Sequence, residues 1–247
     1  MKDAGLSRDA FLGGLLNLYQ PLKGYRAGVD PVLLAASISA QAGQTVLELG
    51  CGVGAAILCL GARVPGLILT GVERDARYAA LAARNGGDAL EVVTADITSL
   101  PLHLRQRQFD QVLVNPPYYD RRASVAADDS LREGALGEDV PLAVWVQIAA
   151  RRLVPKGYAH FIHRAERLPD LIRALPNGMG SVEVLPVAPR EGRAAELVIL
   201  RTRKNGRAAF RLHPPCVMHR GSTHESDAKD YTSAINAVLR KGAPLHF

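Results

Sequence analysis

The sequence predicts an α/β protein with a Rossmann-like fold: a mostly parallel central sheet, an antiparallel last strand, and helices on both faces. Three observations carry this. Short apolar runs (Thr45–Leu49, Leu67–Glu73, Phe109–Val114) alternate with helical patterns, as in a parallel sheet. The first run ends in Gly50-Cys51-Gly52-Val53-Gly54 before a helix, and glycines permit a tight turn and close approach of backbone to a ligand. The run Phe109–Val114 ends in Asn115-Pro116-Pro117-Tyr118, where two prolines stop a strand at the end at which open α/β sheets bind ligands.

Bulk properties narrow the class. A hydrophobic share of 48% with 22% charged residues excludes a disordered or fibrous chain. A net charge of +6 leans modestly towards a polyanionic partner. The most apolar long stretch, Ala55 to Val72, is broken by Arg63 and Pro65, and the N-terminus lacks a signal-peptide core, so no membrane association is expected. Cys51, Cys59 and Cys216 lack CxxC spacing, which argues against a disulfide framework or a Cys-rich zinc site and for a cytoplasmic setting.

Taken in order, residues 1–44 contain Leu12, Leu15, Leu16 and Leu18, then Asp30-Pro31 ahead of Val32–Ala36. Asp as N-cap with Pro at the first helical position starts a helix there. Thr45–Leu49 and its glycine loop follow. The loop also satisfies G-x-G-x-x-A through Ala55, so a nicotinamide cofactor is not dismissed by glycines alone. The second strand ends in Glu73, an acid placed for the hydroxyls of a ribose.

Three features favour a different adenosine cofactor. Glu48 is an acid inside an apolar strand end, awkward beside a pyrophosphate and suited to an ammonium; its bland reading is a buried pair with Arg26 or a lysine. The third strand, Glu91–Ile97, ends in Asp96, whose carboxylate can accept from an adenine amine while Ile97 packs on the ring. The third feature is the elbow. The Asn115 side-chain oxygen and the Pro116 carbonyl are two acceptors on a stiff corner, matched to a planar NH2 group, and Tyr118 adds an aromatic face. Hydrogen bonds from both N–H groups push density onto an otherwise delocalised nitrogen lone pair. That is a chemistry for alkylating an amine.

Together Glu48–Gly54, Glu73, Asp96 and Asn115–Tyr118 resemble the class I S-adenosylmethionine-dependent methyltransferases of the amino-methylating kind. More narrowly, with Tyr25–Ala36 and Cys216-Val217-Met218-His219, the chain is similar to the tRNA adenosine N6-methyltransferases that modify adenosine 37 of a valine tRNA. Tyr119 stands where many members carry Phe. The resemblance implies S-adenosyl-L-methionine as cofactor and tRNA as partner, with no metal. The elbow residues Asn115, Pro116, Pro117 and Tyr118 are then the catalytic set. The cofactor set is Arg26, Asp30, Glu48, Gly50, Gly52, Gly54, Glu73, Arg74, Asp96, Ile97 and Asn115, which gives Arg26 and Asp30 a second reading over the cofactor's amino-acid end. Residues 1–247 are expected to form one methyltransferase domain, with 1–44 an extension over the cofactor and 45–247 the catalytic core.

Other acceptors stay open. Release-factor glutamine methyltransferases use a similar elbow on a side-chain amide, but that family carries a helical domain ahead of strand one, and here 44 residues precede Thr45. Guanine N2 and DNA adenine methylation, and an RNA-binding module with a vestigial pocket, are the remaining alternatives.

Residues 119–139 are polar and follow the elbow directly, as a substrate loop does, with Arg121 and Arg122 available for phosphates. An amphipathic helix follows from Val140, stopping at Pro155-Lys156-Gly157, with Trp145 in the core. Tyr158–His163 reads as a strand, and His160 and His163 have no spacing that suits one metal. A helix over Glu166–Leu175 precedes two strands, Val182–Val187 and Ala195–Leu200, joined through Pro189–Gly192. The basic run Arg201, Arg203, Lys204, Arg207 and Arg211 reads either as an RNA phosphate track or as a charge-protected edge. Cys216, His219 and His224 lack a fourth partner for zinc, and Tyr231–Arg240 closes the chain as a helix capped by Thr232 or Asp230.

Overall fold

The computed structural model describes residues 5–120, 137–138, 140–221 and 230–247. Arg121, Arg122, most of 119–139 and His224 lie outside the described residues. The chain opens with a hairpin, β1 (Leu6–Phe11) and β2 (Leu16–Pro21), and a short helix α1 (Asp30–Ala36). The alternating part follows: β3 (Thr45–Leu49), α2 (Ala55–Arg63), β4 (Ile68–Glu73), α3 (Ala76–Gly86), β5 (Leu90–Thr94), α4 (Leu102–Gln106) and β6 (Phe109–Val114). A short parallel pair, β7 (Tyr119–Asp120) and β8 (Gly137–Glu138), lies beyond the elbow. Then come α5 (Leu142–Arg152), β9 (Leu153–Arg164), α6 (Leu168–Ala174), β10 (Met179–Ala188), β11 (Leu197–Lys204), β12 (Arg211–Leu212), β13 (Cys216–Val217) and α7 (Ser233–Lys241).

The main sheet is ordered β12-β10-β11-β9-β6-β3-β4-β5, with β13 also on β10. Strands β5, β4, β3, β6 and β9 run parallel; β11 inserts antiparallel between β9 and β10. The strand order reverses at β3/β6, and a crevice opens outside the carboxyl ends there. Each central strand is buried on both faces. Val46 and Leu113 belong to the core under α1, α2 and α7, whereas Leu47, Leu49, Val112 and Val114 belong to the core under α5. Full burial of one such side chain contributes about 1.5–3 kcal/mol, so a polar residue in these strands is exceptional.

The stop expected at Pro155-Lys156-Gly157 is absorbed differently. The helix α5 already ends at Arg152, and β9 runs through the triplet as an irregularity: Phe109 pairs with Leu153 but Gln111 with Tyr158. Lys156 there takes a φ of 69°. The C-terminal helix is capped by Thr232, whose Oγ1 accepts from the Ile235 amide.

Candidate active site

The crevice is a cavity of about 480 Å³ lined by the segment Tyr25–Pro31, the glycine loop, Glu73-Arg74-Asp75, Ala95-Asp96-Ile97 and the elbow. The glycine loop is held open by its backbone. Gly50 has φ 70°, and a Cβ there would lie 2.9 Å from Trp145 Cη2. Gly52 has φ 54°, and a Cβ there would lie 4.0 Å from Tyr25 Cε1. Buried Trp145 thus forms the floor beneath Gly50.

Glu48 is 2% exposed and its Oε2 accepts from the Ile57 amide at 3.0 Å, in the first turn of α2. An unpaired helix-terminal N–H meets a carboxylate there, which holds the loop against the helix. Burial pushes the Glu48 pKa up to about 8, against the helix amide that lowers it. The pairing with Arg26 does not form: Arg26 bonds Asp9 at 2.6 Å and the Pro21 carbonyl at 3.3 Å. Arg26 therefore lines the cavity while tied to the N-terminal hairpin.

Glu73 accepts from two amides, Gly52 N–H with Oε2 and Asp75 N–H with Oε1, each at 2.9 Å. Both contacts fix its carboxylate at the cavity edge beside Arg74. Asp96 caps the turn Ile97–Ser99 through the Thr98 amide at 2.7 Å and hydroxyl at 2.6 Å, and these bonds hold its carboxyl below the usual range. Ile97 is buried beside it.

Asp30 departs from the cap expected of it. Val29 is the N-cap of α1, and the Asp30 side chain makes no capping bond; instead its Oδ2 accepts from the Tyr118 hydroxyl at 2.8 Å. Asp30 thus lines the cavity and meets the elbow instead of capping α1. Asn115 is half-buried at the carboxyl end of β6, followed by buried Pro116, and both line the cavity.

Two site residues had no assigned role in the sequence. Tyr25 is deep in the cavity wall; its amide donates to Tyr78 Oη at 2.9 Å, and the Tyr78 hydroxyl donates to its carbonyl at 3.2 Å. His163 lies behind the elbow, its ring centroid 5.2 Å from that of Tyr118. No sequence signal separated His163 from His160, which is buried lower on the same strand and bonds Gln111 at 2.9 Å.

The basic run does not join this site. Arg203 is level with Tyr158 and Gln111, at the start of β6 and about 13 Å of strand below Asn115. Arg201 bonds Glu183 at 2.7 Å, Arg203 the Lys156 carbonyl at 3.1 Å and Lys204 the Leu153 carbonyl at 2.7 Å. Their role in the fold is to fasten β11 to its neighbours, and exposed Arg207 lies past the same end. Because β11 runs antiparallel to β9, Arg203, Lys204 and Arg207 lie towards the end of the sheet opposite the elbow. Among the described residues, no group of three or more His, Cys, Asp or Glu is placed to hold a metal, and His219 bonds Asp230 at 2.6 Å.

Residues 27–135 match the family model of the methyltransferase small domain. A solved structure described as a predicted O-methyltransferase from Agrobacterium tumefaciens superposes with a TM-score of 0.71 at 23% identity, over 88% of this chain and 99% of that one. By fold and by its match to the methyltransferase small domain, the chain resembles the class I methyltransferases. Within that class it resembles the tRNA1(Val) (adenine(37)-N6)-methyltransferases. The Porphyromonas gingivalis (strain ATCC BAA-308 / W83) protein of that name is 31% identical over 158 residues, 59% of this chain and 61% of that protein. The Dickeya chrysanthemi (strain Ech1591) one is 24% identical over 230 residues, 87% of this chain and 86% of that protein. The chain thus spans less than two thirds of the Porphyromonas relative in alignment.

S-adenosyl-L-methionine is the methyl donor of this class, and the cavity suits it. Its volume falls in the range of small-molecule sites. Glu48, Glu73 and Asp96 all line it, and each carboxyl is a hydrogen-bond acceptor.

Proposed function

We propose that the chain transfers a methyl group from S-adenosyl-L-methionine to N6 of an adenosine in RNA, specifically adenosine 37 in the anticodon loop of a tRNA. The observation that carries this is Asn115, presented on a two-proline elbow at the mouth of the cavity that Glu48, Glu73 and Asp96 line. Names of the relatives support the tRNA acceptor.

The bound cofactor supplies a methyl already activated on a sulfonium. The chain supplies alignment. Glu73 and Asp96 orient the ribose and adenine ends, and Glu48 receives the ammonium. The Asn115 Oδ1 and Pro116 carbonyl accept both N–H bonds of the target amine, which turns its lone pair towards the methyl. Positioning of this kind contributes about 7–11 kcal/mol of a bimolecular barrier. The amine becomes acidic only as the new N–C bond forms, so no strong base is required beforehand. The target base leaves its stack to reach the elbow, at a cost of a few kcal/mol in a loop.

Labelled methyl transfer with total RNA and total protein offered in parallel, followed by digestion to nucleosides, tests the reading. Label in tRNA as N6-methyladenosine supports it. Label in a protein of release-factor size replaces it with glutamine methylation.

A further inference from the structure

We infer that Gln20 is a positioning residue for the cofactor: its carboxamide sets the backbone of Ala27, and with it the strap Tyr25–Pro31 over the methionine half of the cavity. The inference rests on the reading that Glu48 receives the ammonium of S-adenosylmethionine. Gln20 lies outside the cavity lining, whereas every residue of the strap is part of it, so Gln20 acts through the strap.

Gln20 is polar where the strand pattern calls for an apolar residue. Leu16, Leu18 and Gln20 share one face of β2, since side chains alternate along a strand, and both leucines pack into the core. Gln20 itself is 2% exposed. A buried carboxamide destabilises a fold unless its oxygen and its nitrogen both find partners. Here both do. Oε1 accepts the backbone N–H of Ala27 at 2.7 Å, and Nε2 donates to Asp9 Oδ2 at 2.8 Å. A leucine would pack at this position without such demands; what the carboxamide adds is a hold on Ala27.

The strap uses that hold because residues 25–28 belong to neither a strand nor a helix, and buried backbone groups outside a ladder need other partners. Side chains from three elements fix it. Tyr25 exchanges two bonds with the Tyr78 hydroxyl of α3, Ala27 is held by Gln20 of β2, and Asp30 meets Tyr118 of the elbow. Asp9 completes the arrangement, since the same Oδ2 that accepts from Gln20 accepts from Arg26 at 2.6 Å.

Strand order determines which half of the cavity the strap covers. A Cβ at Gly52, just past β3, would lie 4.0 Å from Tyr25 Cε1, and Asp30 reaches the elbow just past β6. These two strands are neighbours, and Glu48 is on β3. Asp96 follows β5, two strands away from β3, or about 9–10 Å at the usual spacing. A strap set in advance spares the cost of ordering it around the amino-acid chain of the cofactor when that ligand binds.

The test measures Kd by calorimetry for S-adenosylmethionine and for 5′-methylthioadenosine, which keeps the adenosine and lacks the amino-acid chain. Gln20→Met keeps the length of the side chain and removes its hydrogen bonds. It should weaken S-adenosylmethionine about tenfold and leave methylthioadenosine within about threefold of wild type. Gln20→Glu combined with Asp9→Asn reverses the bond between the two side chains and keeps an acceptor for Ala27. That double variant should restore S-adenosylmethionine affinity to within about threefold of wild type. Equal losses for both ligands in Gln20→Met, or no loss for either, overturn the inference. Glu48→Gln separates it from the reading beneath. If Glu48→Gln weakens S-adenosylmethionine alone and Gln20→Met does not, the strap inference fails by itself. If both variants weaken the two ligands alike, the assignment of the ammonium to Glu48 fails with it. Hydrogen exchange in the unliganded wild type needs no variant: the Ala27 amide should be protected, and exchange at the rate of an unstructured peptide overturns the inference.

Discussion

The Tyr118 hydroxyl donates to the Asp30 carboxylate at 2.8 Å, joining the elbow after β6 to the first turn of α1 across 88 residues. The bond ties the segment Tyr25–Pro31 to the elbow across the cavity that both line. A hydrogen bond to a charged group contributes about 1.5–3 kcal/mol. Tyr118→Phe and Asp30→Asn are therefore each expected to lower kcat by roughly tenfold or more. Because they remove one interaction, the double variant should be little worse than either single one. Strictly additive losses in that cycle would show that the two side chains act separately.

Asn115→Ala removes one of the two acceptors proposed for the amine and leaves Glu48, Glu73 and Asp96 in place. Turnover should disappear while S-adenosylmethionine binding, measured by calorimetry, stays within about tenfold. A collapse of cofactor affinity instead would make Asn115 a cofactor ligand or a structural residue.

Glu48 makes stability depend on pH in a defined direction. Its pKa rises from an ordinary 4.5 to about 8 in the folded chain. Between those values the folded state holds a proton that the unfolded state has released. The contribution is complete below pH 4.5 and is lost as pH rises towards 8. The Tm of the cofactor-free protein, followed from about pH 5.5 to about 8.5, should fall more steeply in wild type than in Glu48→Gln. Parallel curves would mean that the carboxyl is ionised in the fold throughout.

Charge reversal separates the two ends of the sheet. Exposed Arg193, in the connection between β10 and β11, lies beyond the carboxyl end of β10, on the same side as the elbow. Arg203 lies at the other end. Arg193→Glu should raise KM for tRNA, and more so at low salt, whereas Arg203→Glu should leave KM unchanged and lower Tm through loss of the Lys156 contact. A larger KM effect at Arg203 would return the basic run to the substrate track.

Much of the site is legible in the amino-acid sequence because its chemistry is local. The first strand coincides with Thr45–Leu49. Glycines at 50, 52 and 54 take positive φ, and prolines 116 and 117 end β6, because each acts on its own backbone. An acid at the end of β4 or just past β5 falls at the crevice by strand direction alone. Periodicity and local motifs thus determined the fold class and the places of the glycine loop and the elbow. Partners remote in sequence depended on tertiary structure. That Glu48 would meet the Ile57 amide and Asp30 the Tyr118 hydroxyl depended on how α1 and α2 pack over the sheet. That His163 would sit behind the elbow depended on β9 lying beside β6. The antiparallel entry of β11 carried the basic run to the far end, since reversing one strand exchanges its ends while leaving its sequence pattern the same.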